Sequence, residues 1–164
     1  MFRIGLGQDG HPFAEGEKKP LILGGVLIPS EFGLNANSDG DVVLHALFNA
    51  FSSAIGKESI GIYADPMCLK QGIIDSKEYL KVALKMVSKV GYKVNNISLA
   101  VEAKKPRVPR ALIGKMKKKI AKLVEIPKEN VGITFTSGEG LTAFGRGEGI
   151  QVLAFISLIK DGKD

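Results

Sequence analysis

Apolar residues along the chain recur with two different periods, and the switches between them mark the elements. FRIGLG, residues 2–7, alternates as a short strand does. PLILGGVLIP, residues 20–29, is two apolar runs about Gly24 and Gly25, the pattern of a tight hairpin. A polar loop, SEFGLNANSDGD, follows. Ser38 reads as a helix N-cap with acids behind it, so a first helix is expected from about Asp39 to about Ser53. GKESIGIYADPMCLKQGIID carries glycine and proline and reads as loop. Ser76 is expected to cap a second helix, in which Leu80, Leu84 and Val87 recur at helical spacing and Gly91 marks the stop. KVNNISLAVEA reads as a strand and RALIGKMKKKIAKLVEI as a third helix; ENVGITFTS and EGIQVLAFISLIK read as two further strands. These elements predict an α+β fold, a roughly four-stranded sheet packed on three helices with a small β-hairpin. No repeat, low-complexity tract or linker divides the chain, so residues 1–164 are expected as a single domain.

Composition narrows the classes. A chain of 164 residues with 45% hydrophobic content can bury a sizeable core, and disorder is not expected. No apolar run approaches the roughly 18 residues of a membrane span. MFRIGLGQDG lacks a charged and then apolar leader pattern, and the single cysteine, Cys68, allows no intrachain disulfide. A reducing, cytoplasmic location is the expectation, or a plastid-type stroma if a transit peptide was removed. The net charge of +6 and a pI of 9.4 point to nucleic acid or to a small anionic substrate such as a phosphate ester. Much of the excess lies in KKPRVPRALIGKMKKKIAK, 104–122. There Met116, Ile120 and Leu123 share one helix face and lysines fill the rest, which is ordinarily a solvated face. Nucleic-acid binding is the rival, but aromatic residues do not interleave the lysines and there is no tryptophan. Lys104, Lys105 and Arg107, in the proline-containing loop, also suit a nucleotide or diphosphate.

Only two histidines occur. His11 follows Asp9 at the end of the first strand, and extended chain points residues i and i+2 to the same side. His45 falls in the first turns of the first helix. Asp9, His11 and His45 together offer a carboxylate and two imidazoles, a set that leaves one position open on a tetrahedral zinc. The plainer reading is a solvated His11 in a glycine-proline turn and a His45 bonded within its own helix. Both readings stand on spacing alone.

FTSGEGLTAFGRGEGIQVLAF, 135–155, joins two strands through a glycine-rich loop. Thr136, Ser137 and the backbone N–H groups there can donate to phosphate oxygens, which glycines allow to come close. Glu139 suits a hard cation such as magnesium, and Arg146 an anion. A loop with no more than strand-end glycines is the alternative.

Taken together, RIGLGQDGHPF, SDGDVVLHAL, KPRVP and FGRGEGIQV resemble the 2-C-methyl-D-erythritol 2,4-cyclodiphosphate synthase family, in order and rough spacing, from Arg3 to Lys160. The resemblance implies a homotrimer with active sites between subunits, and zinc held by Asp9, His11 and His45. It implies a second ion, Mg2+ or Mn2+, at Glu139. Asn37 and Ser137 fall at catalytic positions. Substrate contacts are implied for Asp9, Gly10 and His11; for Asn37 and Ser38; and for Ser59, Ile60, Gly61 and Asp65. The loop around the cytosine would be Ala103, Lys104, Lys105, Arg107, Val108 and Pro109. Thr136, Ser137, Gly138, Glu139 and Arg146 would meet the diphosphate. Gln8, Ala143, Phe144, Arg146 and Glu148 would line a cavity on the trimer axis, a possible seat for an isoprenoid diphosphate. The implied reaction is intramolecular: the 2-phosphate of 4-diphosphocytidyl-2-C-methyl-D-erythritol 2-phosphate attacks its own β-phosphate, a cyclic diphosphate closes and CMP leaves. That makes the chain a phosphorus–oxygen lyase of the non-mevalonate isoprenoid pathway and accounts for the basic excess without nucleic acid or membrane.

The sequence departs from the family pattern at several points. Asn37 stands where a histidine usually precedes SDGD, Arg107 where lysine is usual, and Ser137 for a threonine. Ser59 replaces an aspartate, and YADPMC stands where an acidic F-P-D-T-D is usual, with Asp65 as the nearest acid. Gln8 and Ala143 replace phenylalanines, and Phe144 lies one place along. Two alternatives follow: a divergent relative acting on another nucleotide diphosphate, and a non-catalytic trimeric module binding metal and isoprenoid diphosphate.

Overall fold

The computed structural model describes residues 1–16 and 18–162. The elements run β1 (Phe2–Pro12), β2 (Leu21–Leu23), β3 (Val26–Ile28), α1 (Val42–Ala54), α2 (Ile60–Gln71), α3 (Ser76–Lys89), β4 (Tyr92–Glu102), α4 (Arg110–Val124), β5 (Val131–Thr136) and β6 (Gly149–Lys160). Short 3-10 turns occupy Lys128–Asn130 and Gly138–Gly140.

The four long strands form one mixed sheet in the order β1-β6-β4-β5, in which only β4 and β5 are parallel. α4 supplies the crossover that a parallel pair requires. β2 and β3 make the separate hairpin read from the sequence, pairing Leu23 with Val26. One face of the sheet is buried: Ile97, Leu99 and Val101 of β4 alternate inward, as do Ile150, Val152, Ala154, Ile156 and Leu158 of β6. Alternation in β4 breaks at Asn95–Asn96, where the pairing with β6 shifts register. The opposite face is bare and partly apolar, with Ile4, Leu6, Leu153 and Phe155 all exposed. The apolar run of β6 therefore serves two faces, of which the helices cover one.

α1 lies directly on β1. A Cβ on Gly7 would stand 2.2 Å from the Ala46 carbonyl oxygen, and one on Gly5 would stand 1.9 Å from that of Ala50. Glycine on the strand and alanine on the helix thus let two backbones touch. Asp41 fixes the start of that helix. Its carboxylate accepts from the Leu44 amide at 3.1 Å as the N-cap, and from the Gly24 and Gly25 amides of the hairpin at 2.9 and 2.6 Å. Burial pushes the Asp41 carboxyl up to about 6, although these amides from Gly25, Gly24 and Leu44 pull it down; the Asp39 charge adds to the rise.

Three expectations are corrected. Among the described residues there are four α-helices, because Ile60–Gln71, read as loop, forms α2. It was hidden by Gly61, by Pro66 inside the helix and by a weak apolar stripe: of its residues only Ala64 is buried. The cap of α1 is Asp41, with Ser38 three places upstream, so the helix begins at Val42 rather than near Asp39. The cap of α3 is Asp75, whose carboxylate accepts from the Lys77 amide at 2.9 Å. Ser76, freed from capping, is buried and bonded elsewhere.

Gly7→Ala should lower unfolding free energy by at least about 2 kcal/mol, the cost of forcing extra atoms between packed backbones. Denaturant unfolding of the metal-free protein measures it.

Candidate metal centre and substrate cleft

Past Gly5 and Gly7, the next two residues on the α1-facing side of β1 are Asp9 and His11. His45 enters from the first turn of α1, its amide bonded to the Asp41 carbonyl at 3.0 Å. Asp9 Oδ2 lies 3.0 Å from both His11 Nε2 and His45 Nδ1, and the two ring nitrogens are 3.2 Å apart. Ligand atoms on one tetrahedral zinc, at bonds of about 2.0–2.2 Å, are separated by roughly 3.3 Å. The set therefore accepts an ion with adjustments of a few tenths of an ångström. Among the described residues it is the one group of three metal-ligating side chains so close together. The reading in which His45 bonds only within its helix is excluded by these contacts.

The remaining nitrogen of His45 decides its protonation. Nε2 lies 2.8 Å from Ser76 Oγ and 3.3 Å from Ser38 Oγ. The Ser76 hydroxyl is committed as a donor to Asp39 Oδ1, so toward His45 it accepts. Asp39 Oδ2 also accepts from the Ser76 amide at 3.1 Å. Nε2 thus carries the hydrogen, and the Nδ1 lone pair is left facing Asp9 and His11, as a metal ligand requires. In the metal-free protein burial alone would raise the Asp9 carboxyl, but hydrogen bonds and charge from His11 and His45 in their imidazolium forms, where Nδ1 of His45 also carries a proton that a metal would replace, outweigh it and hold Asp9 at about 2.

Beside these donors opens a cleft of ≈ 270 Å³. Of the residues expected in the site, Asn37, Ser38, Ile60, Gly61 and Asp65 line it. Ala36, Ala64, Cys68 and Tyr79 line it too and were missed. Ile60, Gly61, Ala64, Asp65 and Cys68 share the cleft-facing side of α2, a grouping that emerges only once the segment is known to be helical. Ser59 is the N-cap residue of α2, its side chain making no capping bond, and is not among the cleft residues. Gly10 faces the other side of the sheet, where the Phe144 ring sits on it; a Cβ there would lie 2.9 Å from Phe144 Cζ.

The glycine-rich half of the expected site lies elsewhere. Ser137 Oγ donates to Glu139 Oε1 at 2.7 Å, and the Gly138 amide to Thr136 Oγ1 at 3.2 Å. Ala103–Pro109 is fastened to the same region by the Ala103 amide on the Thr136 carbonyl, 3.0 Å, and the Lys104 amide on that of Phe144, 3.3 Å. Lys105 is folded over the Phe13 ring, 5.5 Å from its centroid, while Arg107 is exposed. Val108 is half-buried beside Pro109, which sits at the start of α4. Arg146 pairs with Glu148 at 2.8 Å, near Ala143. Gln8 is exposed on the bare sheet face, opposite Leu153. β5, which leads into this loop, stands three strand spacings from β1, roughly 14 Å. None of residues 103–109 or 136–146 lines the metal cleft. One chain therefore keeps these residues apart from the cleft beside Asp9, His11 and His45.

The model of the YgbB family matches residues 2–159. The chain belongs to the YgbB family. A YgbB relative from Chlamydia trachomatis, named 2-C-methyl-D-erythritol 2,4-cyclodiphosphate synthase, is 42% identical over 161 residues, 98% of this chain and 89% of the relative. One of the same name from Chlamydia muridarum is 40% identical over 162 residues, with the same coverage. Among solved structures, the bifunctional IspDF from Campylobacter jejuni aligns at TM-score 0.88 with 34% identity, covering 98% of this chain and 42% of that longer one. A 2C-methyl-D-erythritol-2,4-cyclodiphosphate synthase in a form bound to CDP aligns at 0.85 with 33% identity, covering 96% of this chain and 100% of that one.

Two outcomes follow. Ser76→Ala should weaken zinc binding roughly 10–100-fold, read by chelator competition. The second concerns acid. Asp9 is lowered from 3.8 to about 2, so its contribution in the metal-free fold is complete above pH 3.8 and lost as pH falls through about 2. At pH 5 Asp9→Asn should cost about 2 kcal/mol by denaturant unfolding, and the difference from wild type should shrink toward pH 2.

Proposed function

We propose that this YgbB-family chain is a 2-C-methyl-D-erythritol 2,4-cyclodiphosphate synthase that converts 4-diphosphocytidyl-2-C-methyl-D-erythritol 2-phosphate to the cyclic diphosphate and CMP. The observation that carries the reading is the convergence of Asp9, His11 and His45 at one end of a cleft, in a chain 42% identical to proteins of that name. In the reaction an oxygen of the 2-phosphate bonds to the β-phosphorus, the bond from that phosphorus to the bridging oxygen breaks, and CMP takes the electron pair. No protein nucleophile is needed; folding the substrate so that its ends meet is the main task.

Zinc held by Asp9, His11 and His45 supplies positive charge to a phosphate oxygen when bound. Asn37, exposed at the cleft wall, donates its side-chain N–H to a phosphate oxygen, without the charge a histidine would add. Asp65, on the α2 wall, accepts from erythritol hydroxyls in the place left by Ser59 and the missing acidic loop. Thr136, Ser137, Glu139 and the Ala103–Pro109 loop complete the site from a second copy of the chain, where Glu139 would hold Mg2+ or Mn2+ against the diphosphate. The separation of the half-sites supports this, since one chain does not bring them together. A homotrimer supplies the second copy, and the bare apolar face of Ile4, Leu6, Leu153 and Phe155 is the surface it would cover. Gln8, Arg146 and Glu148 would then approach the axis, with Phe144 standing in for the absent phenylalanines. No helix among the described residues is long and apolar enough to cross a membrane, and the single cysteine suits a reducing cytoplasm.

Purified protein given zinc and magnesium should release CMP from the substrate, and His45→Ala should abolish it. Asn37→Ala should lower kcat roughly 100-fold, the scale for losing one donor aimed at transition-state charge. Release of CMP from CDP-sugars, with none from the erythritol substrate, would replace this reading with a divergent nucleotide-diphosphate enzyme.

A further inference from the structure

Ala36, Asn37 and Ser38 are successive residues of the cleft wall, and a side chain from elsewhere holds each of their carbonyls. Lys19 Nζ donates to the Ala36 carbonyl at 2.7 Å and to the Ser38 carbonyl at 2.6 Å. Cys68 Sγ, from α2, donates to the Asn37 carbonyl at 3.4 Å. Hydrogen bonds from an ammonium are roughly twice as strong as neutral ones, so the two lysine bonds dominate this clamp. They fall on both sides of Asn37 and fix the turn of backbone from which its side chain projects.

The neighbourhood is built to admit Lys19. A Cβ on Gly33 would lie 2.6 Å from the carbonyl oxygens of both Lys19 and Pro20. The absence of that Cβ lets the segment before β2 run alongside the loop it braces. Among the described residues the Asn37 side-chain amide has no hydrogen-bond partner of its own, so the backbone sets its direction. Farther along, the Asp39 amide is bonded to the Ile74 carbonyl at 2.8 Å and the Gly40 amide to Ser38 Oγ at 3.2 Å. These amides are protected only while the loop holds its shape.

We infer that Lys19 is a positioning residue for the chemistry in this cleft: by bracketing Asn37 through the carbonyls of Ala36 and Ser38, it holds the Asn37 amide toward the reacting phosphates. The inference rests on the synthase reading only for the role of Asn37. Lys19→Met keeps the aliphatic stem and removes the ammonium. It should lower kcat on the order of tenfold, as a small misplacement of a reacting-site group does, with KM within about twofold. Lys19→Arg should restore most of the loss. In an Asn37→Ala background Lys19→Met should change kcat no further, because both act through one amide. Hydrogen exchange at the Asp39 and Gly40 amides should quicken in Lys19→Met.

Unchanged kcat in Lys19→Met, an equal fractional loss in both backgrounds, or unaltered exchange at these amides each overturns the inference. Should Lys19→Met fail to fold, Lys19→Gln goes through the same measurements. Should the wild type release no CMP, the synthase reading falls, and amide exchange still decides whether Lys19 holds the loop.

Discussion

The backbone contact between β1 and α1 is the constraint on which the site depends. Larger side chains at this contact would hold α1, and His45 with it, farther from β1. Gly5 and Gly7 against Ala46, Ala50 and Ala54 remove those side chains at one edge of the sheet. The helix settles onto the strand, and the two residues after Gly7 on that face meet the first turn of α1. A metal held by Asp9, His11 and His45 would add stability to an arrangement that packing has already brought within a few tenths of an ångström of closure, and so would have little folding work to do. The same economy makes the site sensitive to a single methyl group at Gly7, a residue that is not itself a ligand.

The stretch SDGD does four different things, one residue at a time. Ser38 Oγ meets His45 and accepts from the Gly40 amide. Asp39 receives both the hydroxyl and the amide of Ser76. Gly40 takes a positive φ of 73°. Asp41 caps α1 and ties down the hairpin. A local motif thus sets where the helix begins, which nitrogen of His45 is free, and how the cleft loop joins the core. Asp41 is buried at a cost that its amide donors offset only in part. That choice makes geometric sense because a capping carboxylate reaches three amides from two elements, which an apolar residue cannot do.

Strands with one buried face and helices with a strong apolar stripe were legible in the sequence, because burial writes a period into them. β6 and α3 are examples. α2 was not, because it buries only Ala64 and carries Pro66, so neither period nor propensity announces it. Its role is to wall the cleft, and a wall needs cleft-facing residues more than core-facing ones. Asp9, His11 and His45 were legible as a set because histidine is so scarce here; Ser76 was misread as a cap because capping and hydrogen bonding to a histidine use the same hydroxyl. Lys19 left no signal at all, since its partners are backbone carbonyls, which every residue has.

How freely a position can be altered follows from what it touches. Asp9, His11 and His45 lie in mutual contact, so altering one strands the other two. Asn37 and Asp65 face the open cleft without bonding to each other or to Asp9, His11 and His45, so either can be substituted without stranding another side chain. Asn37 offers a donor without the positive charge that a histidine could add. Under the proposed function, positive charge toward the phosphates would come from a bound ion and from Lys104, Lys105 and Arg107 of a second copy. If the proposed assembly holds, activity would lean on association of subunits, because the charge that the cleft of one chain lacks would come from its neighbour.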